Sequence, residues 1–266
     1  MSLFNKFWSA TAIALSVAVP FLPSSVSAQS DRKVQVENVV LVHGAWVDGS
    51  SWSRVIPLLE SKGIHVTAVQ LPLTSLADDV AATQRALALI DGPVILVGHS
   101  YGGVVITQAG VDPKVKGLVY ISAFAPDSGE SALSLLKSST VEPPAASQIV
   151  PDSVGFTKIS RKGIDEDFAE ELPSLERDIL FATQGPTSAP NALAVPVTGA
   201  AWKNKPSWTL ITTKDRVIPL ELQKTMAQKI GSQVTTLPAS HLALLAHPQD
   251  VASVIEQAVR SVDQSK

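Results

Sequence analysis

The run Val94-Ile95-Leu96-Val97 leads directly into Gly98-His99-Ser100-Tyr101-Gly102-Gly103, and a second apolar stretch begins at Val104. A short β-branched apolar run reads as a buried strand, and the stretch beyond the glycines reads as a helix. The chain must therefore reverse from strand to helix within a few residues. That is the setting in which the pattern G-x-S-x-G carries chemical meaning. So sharp a turn strains the backbone at Ser100. Gly98 and Gly102 remove side chains that would collide in it, and Gly103 lets the helix pack close to its neighbours. The expected outcome is a serine hydroxyl held above the carboxyl end of a strand.

Similar runs recur along the chain. Val39–Val42, reaching back toward Val34, Val66–Leu71, Leu118–Ile121, Trp208–Thr212 and Val234–Leu237 all have strand length. Apolar residues at consecutive positions suit strands covered on both faces, as in parallel sheets. Helical stretches fall between them, at about 53–61, 78–90, 104–109 and 220–230. The clearest follows Pro248, where Val251, Val254, Ile255, Ala258, Val259 and Val262 form one stripe. This alternation predicts the α/β class: a mostly parallel sheet with helices on both faces.

The alternation lapses between about 125 and 205, a segment rich in proline. It shows short helical patterns at Ser131–Lys137 and Asp165–Leu172 and no strand. It keeps apolar clusters, Leu133, Leu135 and Leu136, then Ile179, Leu180 and Phe181, and so predicts a helical lid rather than a disordered linker. At the other end, Lys6 precedes an apolar run from Ser9 to Val19. Pro20 and Pro23 break it, and Val26-Ser27-Ala28 forms a small-residue cleavage site. Residues 1–28 thus read as a signal peptide, with export to the periplasm or medium, residues 29–266 as the domain, and an uncleaved anchor as the alternative. With 21 Lys and Arg against 24 Asp and Glu, spread without blocks, the chain lacks the basic stripe of a nucleic-acid binder. The chain holds no cysteine, which excludes disulfides, a thiol nucleophile and thiolate metal sites.

Ser100 needs a base, and the base an orienting carboxylate. Of five histidines, His43 and His99 lie in glycine turns, His65 enters a strand and His247 precedes Pro248. His241 alone follows the end of a strand, where open α/β sheets gather their catalytic groups. Asp215, just beyond Trp208–Thr212, is the candidate acid, and Asp127 the fallback. Backbone N–H donors for a tetrahedral oxyanion should come from Tyr101 and from the loop His43-Gly44-Ala45-Trp46, with Ala45 favoured over Trp46. Trp46, Phe124 and Trp202 are candidates for an apolar substrate pocket, whereas Trp52 reads as core.

The segments "VVLVHGAWVDGSSW", "VILVGHSYGG", "TTKDRVIP" and "LPASHLALLAHPQDV" resemble the α/β-hydrolase superfamily, and within it the plant methylesterase, hydroxynitrile lyase and pheophorbidase-like branch with its bacterial esterase relatives. The resemblance implies Ser100 as nucleophile, His241 as base, Asp215 as acid, and Ala45 and Tyr101 as oxyanion donors. It implies hydrolysis of a small or medium carboxylic ester without metal or cofactor. Lactone hydrolysis, C–C bond cleavage and a receptor with little turnover remain open within the same site. Gly44 stands where hydroxynitrile lyases carry threonine, and Leu242 where they carry lysine, so ester hydrolysis is favoured over cyanohydrin cleavage. Ser100 replaces the aspartate nucleophile of haloalkane dehalogenases and epoxide hydrolases. Tyr101 stands where haloperoxidase-like relatives show methionine.

Overall fold

The computed structural model describes residues 36–264. The expected leader, and Val34 as a possible strand residue, lie outside them. The chain runs β1 (Asn38–Val42), α1 (Ile56–Glu60), β2 (His65–Ala68), α2 (Leu76–Ala88), β3 (Val94–His99), α3 (Gly102–Ala109) and β4 (Val115–Ile121). An insertion follows, with α4 (Ala132–Ser138), β5 (Ile149–Pro151), β6 (Phe156–Ile159), α5 (Arg161–Gly163), α6 (Ser174–Thr183) and β7 (Thr187–Ser188). The chain then completes β8 (Ser207–Thr212), α7 (Leu220–Lys229), β9 (Gln233–Leu237), α8 (Ala243–Ala246) and α9 (Pro248–Gln264).

Six strands form one parallel sheet in the order β2-β1-β3-β4-β8-β9. Val39–Val42 and Val94–Val97 are wholly buried, as strands covered on both faces must be. Neighbouring positions of β4 show the two layers. A side chain at Gly117 would meet Val262 of α9, whereas Leu118 reaches Gly110 at the end of α3. Each fully buried Val, Leu or Ile contributes about 1.5–3 kcal/mol, so the sheet is a rigid platform for what its strand ends carry. The chain leaves β1 for one side of the sheet and returns to the other at β3. This is the switch point at which α/β sheets open a crevice, and Val42 pairs there with Gly98.

Several elements depart from the sequence reading, the least of them β4, which starts at Val115 rather than Leu118. The strand expected over 66–71 ends at Ala68. The Val69 N–H still donates to the Leu41 carbonyl of β1, but beyond it the chain turns away: the Leu71 N–H donates to His43 Nε2, and Leu73, after Pro72, takes φ 57°. The insertion, expected to be helical, also carries a three-stranded antiparallel sheet, β5-β6-β7. Its strands span three, four and two residues, too short to show an apolar period, and β7 is Thr-Ser. Ser131 caps α4 in a capping box with Ser134, close to the helix expected there. The stretch expected at 165–172 shrinks to one wide turn, Ile164–Phe168. Ile179, Leu180 and Phe181 lie on α6, which buries none of its residues. Among the described residues no helix is long and apolar enough to cross a membrane.

Candidate active site

Ser100 lies at φ 52°, in the left-handed region, which costs a side-chain-bearing residue energy unless its neighbours hold it. They do. The Ser100 N–H donates to the Ile121 carbonyl, and the Ser100 carbonyl accepts from Gly103 and Phe124 N–H groups. The turn leaves no room for side chains: a Cβ on Gly98 would sit 2.6 Å from the Gly102 backbone, and one on Gly103 2.1 Å from the Phe124 oxygen. Trp46, Leu73 and Ser122 are the other non-glycine residues with positive φ among the described residues, and all three bond into the surroundings of Ser100 or Asp215.

Parallel pairing of β8 and β9 sets Thr212 opposite Leu237, so the turns that follow meet. There Asp215 Oδ2 lies 2.9 Å from His241 Nδ1, with both side chains wholly buried. The carboxylate also accepts from the N–H groups of Val217 and Ile218, from Thr212 Oγ1 and from Gln223 Nε2. So many donors hold it in one orientation. A carboxylate that only accepts fixes the proton on His241 Nδ1, and Nε2 presents its lone pair. That nitrogen is buried without a hydrogen-bond partner. No hydrogen bond joins it to Ser100 here; such bonds are often long in free enzymes and tighten around substrate. Phe168 of the insertion packs on the His241 ring, with centroids 5.4 Å apart.

The other candidates separate cleanly. Asp127 stands apart, paired with Lys203 at 2.5 Å, whose hydrogen bond lowers its pKa. His43 donates from Nδ1 to the Gly44 carbonyl and accepts the Leu71 N–H at Nε2, so it shapes the loop from His43 to Trp46 as a neutral ring; burial lowers its pKa. His99 Nε2 donates to the His241 carbonyl, and burial depresses its pKa well below the usual value. Trp46 N–H donates to Thr187 Oγ1. Neither the Ala45 nor the Tyr101 N–H has a hydrogen-bond acceptor among the described residues, and both residues line the same cavity as Ser100.

That cavity holds about 60 Å³ of free space, and Trp46, Phe124, Leu133, Leu136, Leu193 and Val217 form much of its wall. No charged side chain lines it. Trp202 does not belong to it, which corrects the sequence expectation: its indole N–H donates to the Pro126 carbonyl, and Lys203 lies over its ring. Trp52 is fully buried, edge-on to His99.

A sequence model described as the alpha/beta hydrolase family matches residues 39–254, which takes in β1 from Val39 onward, the Ser100 turn and His241. The chain belongs to the alpha/beta hydrolase family. Relatives of this hydrolase come from bacteria and plants. It is 37% identical over 115 residues to the carbendazim hydrolyzing esterase of Nocardioides sp., a match covering 37% of this chain and only 47% of that protein. It is 27% identical over 258 residues to salicylic acid-binding protein 2 of Nicotiana tabacum, across 83% of this chain and 96% of that protein. The crystal structure of a pyrethroid hydrolase from Sphingobium faniae shares its fold, with a TM-score of 0.74 and 24% identity over 85% of this chain and 98% of that one.

Several residues at the hydrolase site carry no motif. Asp79 is buried, accepts from the Leu73 N–H and the Tyr101 hydroxyl, and has its pKa raised to about 6 by desolvation. The same burial, with the Asp79 charge, pushes the Tyr101 phenol up. A signal for Asp79 existed: it shares the buried stripe of α2 with Leu76, Val80, Thr83 and Leu87, an unusual place for a carboxylate. Glu170 has one buried, unpartnered carboxylate oxygen, and burial raises its pKa. Thr157, Thr187, Phe168 and Gln223 left no sequence signal at all.

Proposed function

We propose that the protein is a serine hydrolase of neutral carboxylic esters, working through an acyl-enzyme. The observation that carries this is the buried Asp215–His241 pair with its free Nε2, on the same sheet edge as a serine forced into a strained turn. His241 Nε2 takes the Ser100 proton as Oγ attacks the ester carbonyl. The negative charge that develops on the carbonyl oxygen rests on the Ala45 and Tyr101 N–H groups, each worth about 2.7–4 kcal/mol of transition-state stabilisation. His241 then gives its proton to the departing alcohol. Water enters and attacks the acyl carbon as His241 takes its proton; His241 returns that proton to Ser100 Oγ as the bond between Oγ and the acyl carbon breaks and the acid leaves. Asp215 holds the imidazole in its tautomer and stabilises the imidazolium. The relatives named as esterases and pyrethroid hydrolases support an ester as substrate.

The cavity wall narrows the substrate class. A charged group would lose its hydration there without gaining a partner, a cost of several kcal/mol. The group that enters should therefore be uncharged, apolar and a few carbons long. Comparing p-nitrophenyl pentanoate with p-nitrophenyl hemisuccinate tests this, because the acyl chains are similar in length and differ by a carboxylate. The pentanoate should show kcat/KM at least about tenfold higher. Equal or faster turnover of the hemisuccinate would refute an apolar acyl site.

We also propose that residues 1–28 direct export and are removed. Lys6, the apolar run after it and Val26-Ser27-Ala28 support that reading.

A further inference from the structure

β7 is two residues long, polar and wholly buried, and lies in the insertion far along the chain from the nucleophile turn. Its hydrogen bonds lead to both sides of the proposed oxyanion hole. Thr187 Oγ1 accepts the Trp46 N–H at 3.1 Å. The Thr187 carbonyl accepts from Thr157 Oγ1 at 3.0 Å, and Thr157 Oγ1 accepts the Trp46 indole N–H at 3.1 Å. One side chain of the oxyanion loop is thus held at its main-chain and its side-chain nitrogen by two strands of the insertion. The next residue serves the other side. The Ser188 N–H donates to the Leu73 carbonyl at 2.9 Å, the Leu73 N–H to Asp79 Oδ1 at 2.8 Å, and the Tyr101 hydroxyl to Asp79 Oδ2 at 2.8 Å.

Both chains of bonds pass through a residue that needs restraint. Trp46 stands at φ 64° and Leu73 at φ 57°, conformations a bulky side chain disfavours. Such a backbone persists only where its surroundings over-determine it. At Trp46 the restraint also decides which N–H faces substrate. With the Trp46 N–H committed to Thr187, the peptide between residues 45 and 46 is held from one side, the Gly44 carbonyl is held by His43 Nδ1 from the other, and the Ala45 N–H between them is left as the loop's donor. Burial makes the commitment strong, since a buried N–H without an acceptor is costly.

We propose that β7 braces the oxyanion hole, with Thr187 as a positioning residue that acts through Trp46. This rests on the reading of Ala45 and Tyr101 as oxyanion donors. Thr187 lines no part of the cavity; it fixes the peptide that follows Ala45 and so limits how far the Ala45 N–H, in the peptide before it, can swing. Losing a donor outright lowers kcat by about 10²–10³, so a donor set loose should cost part of that.

The test uses Thr187→Val, which keeps the shape and removes the acceptor, beside Thr187→Ser, which keeps the hydroxyl. Each is measured for kcat, KM and inhibition by an alkyl trifluoromethyl ketone, whose adduct places an oxyanion in the hole. Thr187→Val should lower kcat about 10- to 100-fold with KM within about twofold, and weaken the ketone by the factor lost from kcat/KM. Thr187→Ser should recover to within about threefold of the parent. A Thr187→Val enzyme with parental kcat and ketone affinity overturns the brace. So does a Thr187→Ser enzyme as poor as the valine variant, since packing rather than the hydroxyl would then matter. If Thr187→Val does not fold, Thr157→Val decides: it frees the Trp46 indole N–H and should show the same kcat-weighted loss, and unchanged kcat there overturns the proposal. A parent enzyme that the ketone does not inhibit, or a Ser100→Ala variant with full turnover, defeats the oxyanion reading itself and the brace with it, whatever the Thr187 variants do.

Discussion

Asp215 and Asp127 follow neighbouring strands and look alike in sequence, yet their surroundings differ completely. Asp215 is caged by donors against His241, whereas Asp127 pairs with Lys203. Asp215→Asn should lower kcat by roughly 10⁴, by allowing the wrong tautomer of His241, while Asp127→Asn should leave ester turnover within about twofold. A damaged Asp127→Asn beside a healthy Asp215→Asn would move the acid to the earlier strand. Asp79 permits a test on stability. Its pKa is raised from 3.8 to about 6 in the folded protein, so the native state holds this proton more tightly than the unfolded chain. The resulting stabilisation is complete below about pH 4 and is lost as pH rises through about 6, up to roughly 3 kcal/mol in all. Asp79→Asn carries no charge, so its thermal midpoint should fall less than the parent's between pH 5 and pH 8. Parallel pH curves for the two proteins would contradict this account. Residues on strand ends were open to sequence reasoning because strand pattern and chemistry coincide there. Thr187 was not, because its meaning depends on Trp46, 141 positions earlier.

At the scale of elements, the strands that read clearly were those buried on both faces. β1, β3, β4 and β8 are each built around consecutive buried residues, most of them apolar. β2 was read too long, because Leu71 and Leu73 give their N–H groups to His43 and Asp79 rather than to the sheet. The insertion's small sheet was missed, since it is held in part by threonine hydroxyls and strands of two to four residues have no readable period. Trp202 was drawn toward the pocket by its neighbourhood in sequence, but its indole is tied to Pro126. The turn from β3 to α3 carries the most exacting geometry. A methyl group at position 103 would press on the carbonyl of Phe124, a residue whose N–H is tied to the elbow at Ser100. Gly103→Ala should therefore destabilise the protein by about 1–3 kcal/mol or more and lower activity with it, as seen in urea unfolding followed by tryptophan fluorescence. Unchanged stability would mean that the elbow yields more readily than its contacts indicate.

Over the whole molecule, the strand ends of the main sheet carry Ser100, Asp215 and His241, the proposed nucleophile, acid and base, and the insertion completes the cavity wall begun by Trp46, Phe124 and Val217 and bonds to Trp46 through Thr157 and Thr187. This division fits the sequence. All six strands of the sheet were legible apart from their ends, while the small sheet of the insertion, whose order comes from contacts with distant residues, was not. The proposed export with cleavage after Ala28 predicts a mature chain that starts at Gln29. Intact-mass analysis of the protein recovered from its host should give that start; a stable protein retaining residues 1–28 would exclude cleavage there. The central claim is that Ser100 is the nucleophile. Its most direct test is peptide mapping by mass spectrometry after treatment with a fluorophosphonate. The account predicts one adduct, on Ser100, formed in step with the loss of esterase activity and absent from Ser100→Ala. An adduct on another residue, or inactivation of the Ser100→Ala protein at the parental rate, would contradict it.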